Sequence, residues 1–366
     1  MRLSTDDLPM FFAESHVALA QRLRDAAKLI EQAERSPDPD RAAVEALGES
    51  SLFELVTGKV ESRSLCLARE MLGYVSPRAD SIFAVQGLGV HPLLLAGHEL
   101  DPGYAIGTRV AAFALTEPEA GSDVASIQTR ATPRAGGYQL DGDKLFISNL
   151  GLADHASVFA ATEGGITAFW VPLDAKGVTV RPQQPSAPHP LGALELRGVV
   201  VPESSRIGDI GQGMRLAMQT LDAFRVSVGA AAVGMARRAF DEALAFVTTR
   251  VQFGKPLAEQ QLVQAHLADM AVDLDAARLL VLRAAHRKDT VGGRVTTEVS
   301  IAKLGATEAA QRVIDRAVQL FGGRGVMVGS VVEHLYRAIR PLRIYEGTSE
   351  IQRTIIGKAL TKEARK

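Results

Sequence analysis

Cysteine is nearly absent from this chain, and its scarcity excludes two kinds of site. Cys66 is the single cysteine among 366 residues, so the chain forms no internal disulfide and builds no metal site from several thiolates. The eight histidines include no pair one helical turn apart, the spacing of a helical zinc site. We therefore expect no metal centre. A single thiol fits a reducing compartment, and the cytoplasm is the expected location.

Long apolar runs and an excess of one charge are also missing. No stretch approaches the roughly 18 apolar residues that cross a bilayer, and Asp6 and Asp7 stand where a signal peptide would be apolar. The 41 basic and 42 acidic residues nearly cancel, leaving a net charge of -1. We therefore expect no binding to nucleic acid or membrane, and a small molecule or a protein as the partner.

The hydropathy pattern predicts a helical, β, helical order in a globular chain. Hydrophobic residues make up 46% of the sequence, which is typical of folded domains, and the length favours two or three of them. Residues 1–109 carry apolar side chains at helical spacing, as at Leu19 and Leu23. Residues 110–205 show short β-rich runs, and residues 206–366 return to helical spacing. The predicted fold is α+β and mostly α, with an N-terminal helical domain, a middle β-barrel and a C-terminal four-helix bundle.

Two turns in the β-rich region stand out. Asp141 and Gly142 lie between two β-rich runs and predict a tight hairpin turn. The letters LTEPEAGSD occupy residues 115–123 and form a loop of small and hydroxyl residues. Such a loop presents backbone N–H groups and hydroxyls to a flat polar ring or a phosphate. The alternative is a surface turn shaped by Pro118 and Gly121.

Two further segments follow predicted helices. Arg250 ends a long helix, where a cation interacts favourably with the helix dipole or a guanidinium binds a diphosphate. Gly322 and Gly323 follow another helix, and no strand precedes them, so they do not form a dinucleotide-binding fingerprint. They are typical of a helix C-cap, or of a backbone that approaches a ligand closely.

The segment before the last helix places a carboxylate beside a helix N-terminus. Ser349 and Gln352 have the spacing of a capping box and predict where that helix begins. Glu346 lies outside this pair, next to Gly347. Taken alone, Glu346 fits a solvated loop residue as well as a functional carboxylate.

Six spaced segments together resemble the acyl-CoA dehydrogenase family. The resemblance runs from residue 110 to the end, and more weakly through the N-terminal helices. The segments are LTEPEAGSD at 115–123, DGDKLFISN at 141–149, RVQFG at 250–254, QLVQAHLADM at 261–270, QLFGG at 319–323 and YEGT at 345–348.

The resemblance implies FAD between the barrel and the bundle of a homodimer or homotetramer. The flavin ring and ribityl chain would be held by Leu115, Thr116, Gly121, Ser122, Phe146, Ile147 and Ser148. The adenine and diphosphate would be held, largely from the neighbouring subunit, by Arg250, Gln252, Phe253, Gln261, Gln319 and Gly323, joined by Thr348 and Glu350.

The resemblance also assigns the base. Glu346 would remove the α-proton of an acyl thioester while hydride passes from the β-carbon to flavin N5, leaving a 2-enoyl thioester. Its backbone N–H, with a ribityl hydroxyl, would bind the thioester carbonyl oxygen. Some family members place the base just before the residue that matches Arg225, but this chain has Phe224 there. Residues implied to line the thioester are Ser122, Asp222, Arg225 and Gly347.

Two departures from the family pattern bear on the substrate and the partner. PSAPHPLG at residues 185–192 replaces the stretch that usually holds the pantetheine and CoA. A short member altered there looks like the dehydrogenases of polyketide extender-unit pathways, which oxidise a small polar acyl group on an acyl carrier protein to a hydroxymalonyl or methoxymalonyl precursor. The resemblance implies electron-transfer flavoprotein as the electron acceptor. Phe146 stands where the family usually has Trp, on the face that meets this acceptor.

Other functions stay open beside that branch. The first alternative is a short-chain acyl-CoA dehydrogenase that forms 2-enoyl-CoA. A flavin monooxygenase is a further alternative, although such relatives lack the glutamate at position 346. A catalytically inactive homologue is the last.

Overall fold

A computed structural model describes residues 5–291 and 295–364 of the chain. Helices precede residue 107, strands run from Ala111 to Ile207, and long helices follow from Gly213. This order confirms the predicted fold class. Among the described residues, no helix combines the length and the apolar character needed to cross a membrane.

Contacts divide the described residues into two compact units. The sheet unit consists of Leu29–Val60 and Arg78–Phe224. The helical unit consists of the described part of Met1–Lys28, with Glu61–Pro77 and the described part of Arg225–Lys366. The division into three domains at residues 109/110 and 205/206 stays a prediction.

Residues 14–106, all within the described part of the chain, form six α-helices. Their starts follow from local sequence: α2 has Pro39 in its first turn, and the Asp38 side chain accepts a hydrogen bond from the Arg41 N–H at 3.1 Å. Helix α5 is apolar on almost every side and is therefore buried along most of its length. The helices are α1 Glu14–Ala33, α2 Pro39–Glu49, α3 Glu54–Thr57, α4 Ser62–Val75, α5 Pro77–Leu95 and α6 Gly103–Ile106.

The sheet unit is built on an eight-stranded, mostly antiparallel sheet. The strands are hydrogen-bonded in the order β6-β7-β3-β2-β4-β5-β8, and β1 pairs in parallel with β4. Their alternating apolar side chains form one core that includes Leu140, Val158 and Phe169. The strands are β1 Ala111–Ala114, β2 Arg130–Arg134, β3 Gly137–Ser148, β4 His155–Thr162, β5 Gly165–Pro172, β6 Val178–Pro182, β7 Leu191–Pro202 and β8 Arg206–Ile207.

The hairpin turn predicted at Asp141 and Gly142 is wrong. Both residues lie inside β3, and the turn that joins β2 to β3 falls between Arg134 and Gly137. The pairing of β3 with β7 shifts register at Gly142. A Cβ at Gly142 would lie 2.5 Å from Thr129 Oγ1. The glycine therefore allows a bulge and a close approach between strands, not a turn.

Apart from most of α1 and the whole of α4, the described part of the helical unit contains most of one very long helix, three further long helices and one short helix. Small side chains bring them close together: a Cβ at Gly234 on α7 would lie 2.1 Å from the carbonyl oxygen of Glu70 on α4. A core of mainly Ala and Val side chains joins α7, α8 and α9, including Val233, Val281 and Ala306. The helices are α7 Gly213–Thr249, α8 Gln261–Thr290, α9 Thr296–Phe321, α10 Val331–Ile339 and α11 Ser349–Glu363. Between α7 and α8, β9 Val251–Gln252 pairs with β10 Lys255–Pro256.

Candidate active site

Glu346 lies in a short turn that leads into α11. Thr348 is the N-cap, and its Oγ1 accepts a hydrogen bond from the Ile351 N–H at 3.3 Å. The predicted capping box is therefore wrong, because Ser349 is already helical and its hydroxyl donates to Glu308 at 2.6 Å. Glu346 lies two residues before this N-cap, at a φ of +52°. Few residues with a side chain adopt that backbone conformation.

The side chain of Lys303 on α9 binds this turn through two backbone carbonyls. Its Nζ donates to the carbonyl oxygen of Tyr345 at 3.0 Å and to that of Gly347 at 2.7 Å. The side chain is fully buried, although lysine is among the residues that are least often buried. A buried ammonium needs hydrogen-bond acceptors, and the two carbonyls supply them.

The carbonyl of Glu346, which lies between those of Tyr345 and Gly347, also accepts hydrogen bonds. The carbonyl oxygen of Glu346 accepts from Arg225 Nε at 3.2 Å and from Gln352 Nε2 at 3.4 Å. Gln352 Nε2 also donates to the carbonyl oxygen of Gly347 at 3.0 Å. Arg225 and Gln352 are both almost fully buried. Each backbone carbonyl from Tyr345 to Gly347 thus accepts a hydrogen bond from a buried side chain.

The carboxylate of Glu346 lies in a partly desolvated environment with two cations nearby. Its side chain is half-buried, and its Oε2 is closed to solvent. Burial lowers the pKa of Lys303 to about 8; the negative charge of Glu346 opposes that shift, and the positive charge of Arg225 adds to it. Positive charges nearby favour the ionised form of a carboxylate. The structure therefore brings Glu346, Gly347 and Arg225 together, as three of the predicted site residues.

Two residues of this cluster, Lys303 and Gln352, are not among the predicted site residues. Lys303 does carry a signal, because it lies between Ala302 and Ala306 on the buried side of α9, where a charged residue requires a buried partner. Gln352 is assigned to the capping box instead. Its contact with the turn depends on how the turn folds back, which spacing alone does not encode.

In the sheet unit, the segment at residues 115–123 is anchored by a buried ion pair. Lys144 Nζ donates to Glu117 Oε1 at 2.7 Å and to the carbonyl oxygen of Leu115 at 3.2 Å. Glu117 Oε1 also accepts from the Thr129 N–H at 3.0 Å. Both charged side chains are buried. The start of the segment is therefore held in one place.

The pKa shifts of this pair have two causes that act against each other. Burial lowers the pKa of Lys144 to about 8, and its hydrogen bond to Glu117 opposes that shift. Burial acts to raise the pKa of Glu117, but hydrogen bonds from Lys144 and Thr129 hold it below its ordinary value. Both groups are therefore ionised at neutral pH.

Exposure varies along the 115–123 segment. Leu115 is buried and Thr116 is half-buried, and the carbonyl oxygen of Thr116 accepts from the Leu145 N–H at 2.9 Å. Gly121 and Ser122 are exposed. A Cβ at Gly121 would meet nothing within 4 Å. The tip of the segment thus leaves room for a ligand beside its backbone.

The three predicted flavin contacts at the end of β3 differ in how exposed their side chains are. The Phe146 ring is 61% exposed and its φ is +57°, whereas Ile147 is buried and Ser148 is half-buried. The pairing of β3 with β7 shifts register between Lys144 and Ile147. This bulge interrupts the alternation of the strand and leaves the Phe146 ring on the surface.

The predicted diphosphate contacts after α7 lie on the surface of the helical unit. Arg250, Gln252 and Phe253 are all exposed. Strands β9 and β10 form a hairpin whose two-residue turn, Phe253 and Gly254, has φ values of +54° and +76°. Such values are those of a type I′ turn, which favours Asn or Gly over Phe. The Phe253 ring is nevertheless 95% exposed.

The remaining predicted cofactor contacts lie at helix ends. Gln261 begins α8, and Gln319 lies in the last turn of α9; both are exposed. Gly322 is the C-cap of α9, with a φ of +59°, which confirms the predicted C-cap. A Cβ at Gly323 would meet nothing within 4 Å. At the last helix, Thr348 is the N-cap and Glu350 is exposed.

Asp222 and Phe224 lie on α7 within the sheet unit. Asp222 is half-buried and Phe224 is fully buried. The Phe224 ring centroid lies 5.5 Å from that of His91, and a Cβ at Gly87 would lie 2.5 Å from the Phe224 ring. The position that carries the base in some relatives is therefore a closely packed apolar position in this chain.

The residue types on each unit fit FAD. The sheet unit offers the hydroxyls of Thr116, Ser122 and Ser148 and an open backbone at Gly121, which suit the polar edge and the ribityl chain of a flavin. The helical unit offers an exposed guanidinium, which suits a diphosphate, and three exposed amides. Phe146 and Phe253 are both exposed rings on backbone at positive φ. Strained backbone positions of this kind cluster at ligand contacts.

Two family models match most of the region that carries these residues. The model described as the acyl-CoA dehydrogenase middle domain matches residues 112–199. The model described as the acyl-CoA dehydrogenase C-terminal domain matches residues 211–361. Together they cover more than half of the chain.

Several named proteins are similar to this chain over most of their length. The CarC subunit of the caffeyl-CoA reductase–Etf complex of Acetobacterium woodii is 33% identical, over 97% of this chain and 100% of that protein. The short-chain specific acyl-CoA dehydrogenase of Megasphaera elsdenii is 41% identical, over 80% of this chain and 79% of that protein. The solved structure of butyryl-CoA dehydrogenase from Megasphaera elsdenii superposes with a TM-score of 0.87 at 32% identity, over 96% and 99% of the two chains. This chain therefore belongs to the acyl-CoA dehydrogenase family, the FAD-dependent oxidoreductases that act on the CH–CH bond of acyl thioesters.

Proposed function

We propose that this protein is an FAD-dependent dehydrogenase of a small acyl thioester, in which Glu346 removes a proton from the acyl group. The observation that carries the proposal is the setting of Glu346. Its carboxylate is half-buried, on a turn whose carbonyls are bound by buried side chains. A base held in one place and partly shielded from bulk water needs less reorganisation to accept a proton than a mobile surface residue does.

The local charges support the same role. The α-proton of a thioester is only moderately acidic, so its removal requires an ionised base and donors for the enolate oxygen. The positive charges of Lys303 and Arg225 favour the ionised Glu346 carboxylate. The backbone N–H of Glu346 is the donor that we assign to the thioester carbonyl oxygen. Ser122, Asp222, Arg225 and Gly347 are the residues that we assign to the thioester end of the substrate.

FAD, when bound, supplies the hydride acceptor of the reaction. The residues of the sheet unit that we assign to its flavin and ribityl end are Leu115, Thr116, Gly121, Ser122, Phe146, Ile147 and Ser148. The residues of the helical unit that we assign to its diphosphate and adenine end are Arg250, Gln252, Phe253, Gln261, Gln319, Gly323, Thr348 and Glu350.

Short-chain acyl-CoA is the substrate that the relatives favour. One relative is named a short-chain specific acyl-CoA dehydrogenase, and a solved neighbour is a butyryl-CoA dehydrogenase. For this substrate, loss of the α-proton and of a β-hydride leaves a 2-enoyl-CoA.

A small polar acyl group on an acyl carrier protein, of the hydroxymalonyl or methoxymalonyl type, is the second candidate. The loop between β6 and β7 favours it, because this loop is folded on itself where the family usually contacts CoA. Ala187 is buried, and His189 Nδ1 lies 3.1 Å from the Ala187 carbonyl oxygen. Burial lowers the pKa of His189, so its ring is neutral at pH 7 and offers no charge to a phosphate.

We also propose a homodimer or homotetramer and an electron-transfer flavoprotein as the electron acceptor. Apolar side chains are exposed along α8 and after α9, at Leu262, Val272, Val326, Met327 and Val328. Exposed apolar side chains in such number are typical of protein interfaces. The name of the Acetobacterium woodii relative places that protein in an Etf complex, which supports the same kind of acceptor here.

Anaerobic mixing of the yellow protein with candidate thioesters tests the proposal. Short-chain acyl-CoA and the matching acyl-carrier-protein thioester are compared while the flavin absorbance is followed. Bleaching by the CoA thioester supports the first candidate, and bleaching only by the carrier-protein thioester supports the second. An unbleached flavin with both series, in a protein that dithionite still reduces, contradicts the proposed function.

A further inference from the structure

We infer that Lys303 is a positioning residue for the proposed reaction: by binding the carbonyl oxygens of Tyr345 and Gly347, it orients the backbone and the carboxylate of Glu346. This inference rests on the proposed role of Glu346 as the base. Lys303 does not carry the proton itself. It acts through the turn that it holds and through its charge.

The geometry of the peptide bond gives the first reason. In a trans peptide the C=O and the following N–H point in opposite directions. The hydrogen bond from Lys303 to the Tyr345 carbonyl therefore directs the Glu346 N–H away from α9. This N–H is the donor assigned to the thioester oxygen, so Lys303 sets the direction of that donor.

The backbone conformation of Glu346 gives the second reason. A residue with a side chain stays at a φ of +52° only where surrounding contacts determine its conformation. Five hydrogen bonds from Lys303, Arg225 and Gln352 supply such contacts around Glu346. Lys303 is the donor that binds on both sides of Glu346, because its two acceptors belong to the preceding and the following residue.

The charge of Lys303 gives the third reason. Its two acceptors are neutral carbonyls, so they leave its positive charge acting on the groups around it. The charged groups that face it are Glu346, Arg225, Glu308 and Glu350. Glu346 interacts with it most strongly of the three carboxylates. Removal of the ammonium should therefore move the ionisation of Glu346 to higher pH.

The test compares Lys303→Met with Ser300→Ala in the yellow protein. Ser300 is buried one turn earlier on α9, and its hydroxyl has no hydrogen-bond partner within residues 5–291 and 295–364. For Lys303→Met, we expect the limiting rate of flavin bleaching to fall roughly 100-fold. The thioester concentration at half-maximal rate should change by less than about threefold, and the ascending limb of the pH–rate profile should move to higher pH. Ser300→Ala should match the wild type in all three.

Limited proteolysis without substrate tests whether Lys303 keeps the turn in place. Trypsin cleaves after arginine, and Arg343 lies two residues before the turn. We expect faster cleavage after Arg343 in Lys303→Met than in the wild type or Ser300→Ala. If Lys303→Met fails to fold, the same measurements are made on Lys303→Gln. Its amide still donates to one carbonyl, but the positive charge is absent.

The outcomes separate this inference from the proposed function. A well-folded Lys303 variant with wild-type bleaching, pH limb and trypsin cleavage overturns the inference. A slower variant whose pH limb does not move also overturns it, since a purely structural defect lowers the rate without changing the ionisation of Glu346. If no thioester bleaches the wild type, the proposed function fails, while the trypsin comparison still decides whether Lys303 holds the turn.

Discussion

The ammonium of Lys144 and the carboxylate of Glu117 lie 2.7 Å apart in a part of the sheet unit that solvent does not reach. Lys144 belongs to β3, and Glu117 lies three residues beyond the end of β1. The pair therefore ties the 115–123 segment to β3, an interior strand of the sheet. Leu115 and Thr116 open the segment that we propose to contact the flavin, so the same ion pair would set where those proposed contacts begin.

Lys144→Met should destabilise the protein strongly. The substitution leaves the Glu117 carboxylate buried without its cation, which costs about 3–5 kcal/mol in comparable pairs. The shift in the urea unfolding midpoint measures the loss. Lys176→Met, at an exposed lysine of the same unit, is the control and should change stability by less than about 0.5 kcal/mol. Equal effects of the two substitutions would contradict the structural role of the pair.

Glu346→Gln should keep the yellow colour and lose reduction by substrate. The amide has nearly the same size as the carboxylate, and the contacts of the turn to Lys303, Arg225 and Gln352 go through backbone carbonyls, so the turn should survive. Without an ionised base, the rate of anaerobic bleaching should fall by roughly 10² to 10⁴. Glu363→Gln, an exposed change at the end of α11, is the control. Unchanged bleaching in Glu346→Gln would remove this residue from the mechanism.

The pH dependence of stability should report the buried ammonium of Lys303. Burial lowers its pKa in the folded protein from 10.5 to about 8, whereas the unfolded chain keeps the higher value. Below pH 8 both states are charged and the folded state carries the burial penalty. Between the two values the unfolded state binds more protons, so stability rises with pH, by at most about 1.4 kcal/mol per pH unit.

Comparison of unfolding midpoints between pH 7 and 10 isolates this effect. Lys144 contributes a rise of the same sign, since burial lowers its pKa to about 8 as well. Lys303→Met should therefore show a smaller rise than the wild type, not an absent one. A variant and a wild type with parallel curves would show that Lys303 keeps an ordinary pKa in the folded state.

Two glycine-to-alanine substitutions in the helical unit should have opposite signs. A Cβ at Gly234 would lie 2.1 Å from the carbonyl oxygen of Glu70, so Gly234→Ala forces α4 and α7 apart and should destabilise by about 1–3 kcal/mol. Gly357 lies within α11 with nothing near its Cβ position. Gly357→Ala should stabilise by about 0.5–1 kcal/mol, because alanine favours the helix. Thermal unfolding of both variants checks the signs.

Phe253→Asn should weaken FAD binding without weakening the hairpin. Asparagine suits the positive φ of the β9–β10 turn better than phenylalanine does, so the local backbone should be retained. Loss of the exposed ring should weaken the affinity for FAD roughly tenfold, if the ring packs on the cofactor. Titration of the apoprotein with FAD measures the change, with Val251→Thr as an exposed control in the same hairpin. Unchanged affinity would remove Phe253 from the cofactor contacts.

Local sequence patterns predicted helices and strands well where the pattern depends on one helix or strand alone. Strands β1 to β7 lie within the predicted β-rich region 110–205, and Leu19 and Leu23, which showed helical spacing, are buried on α1. Such periodicities arise from the geometry of one helix or strand, so they are readable from neighbouring residues. The Asp141–Gly142 hairpin is wrong because long-range pairing of β3 with β2 and β7 overrode a local turn preference.

The sequence by itself determined the order of helices and strands, the family, and Glu346 as the candidate base, because each follows from residues close together in the chain or from spaced motifs. Only the tertiary structure decided what holds that base. Arg225 binds the Glu346 carbonyl from 121 residues away, and Lys303 binds the Gly347 carbonyl from 44 residues away. Those contacts depend on how α7, α9 and the turn before α11 pack together. Helical spacing records which side of a helix is buried, but not which backbone atoms a buried lysine meets there.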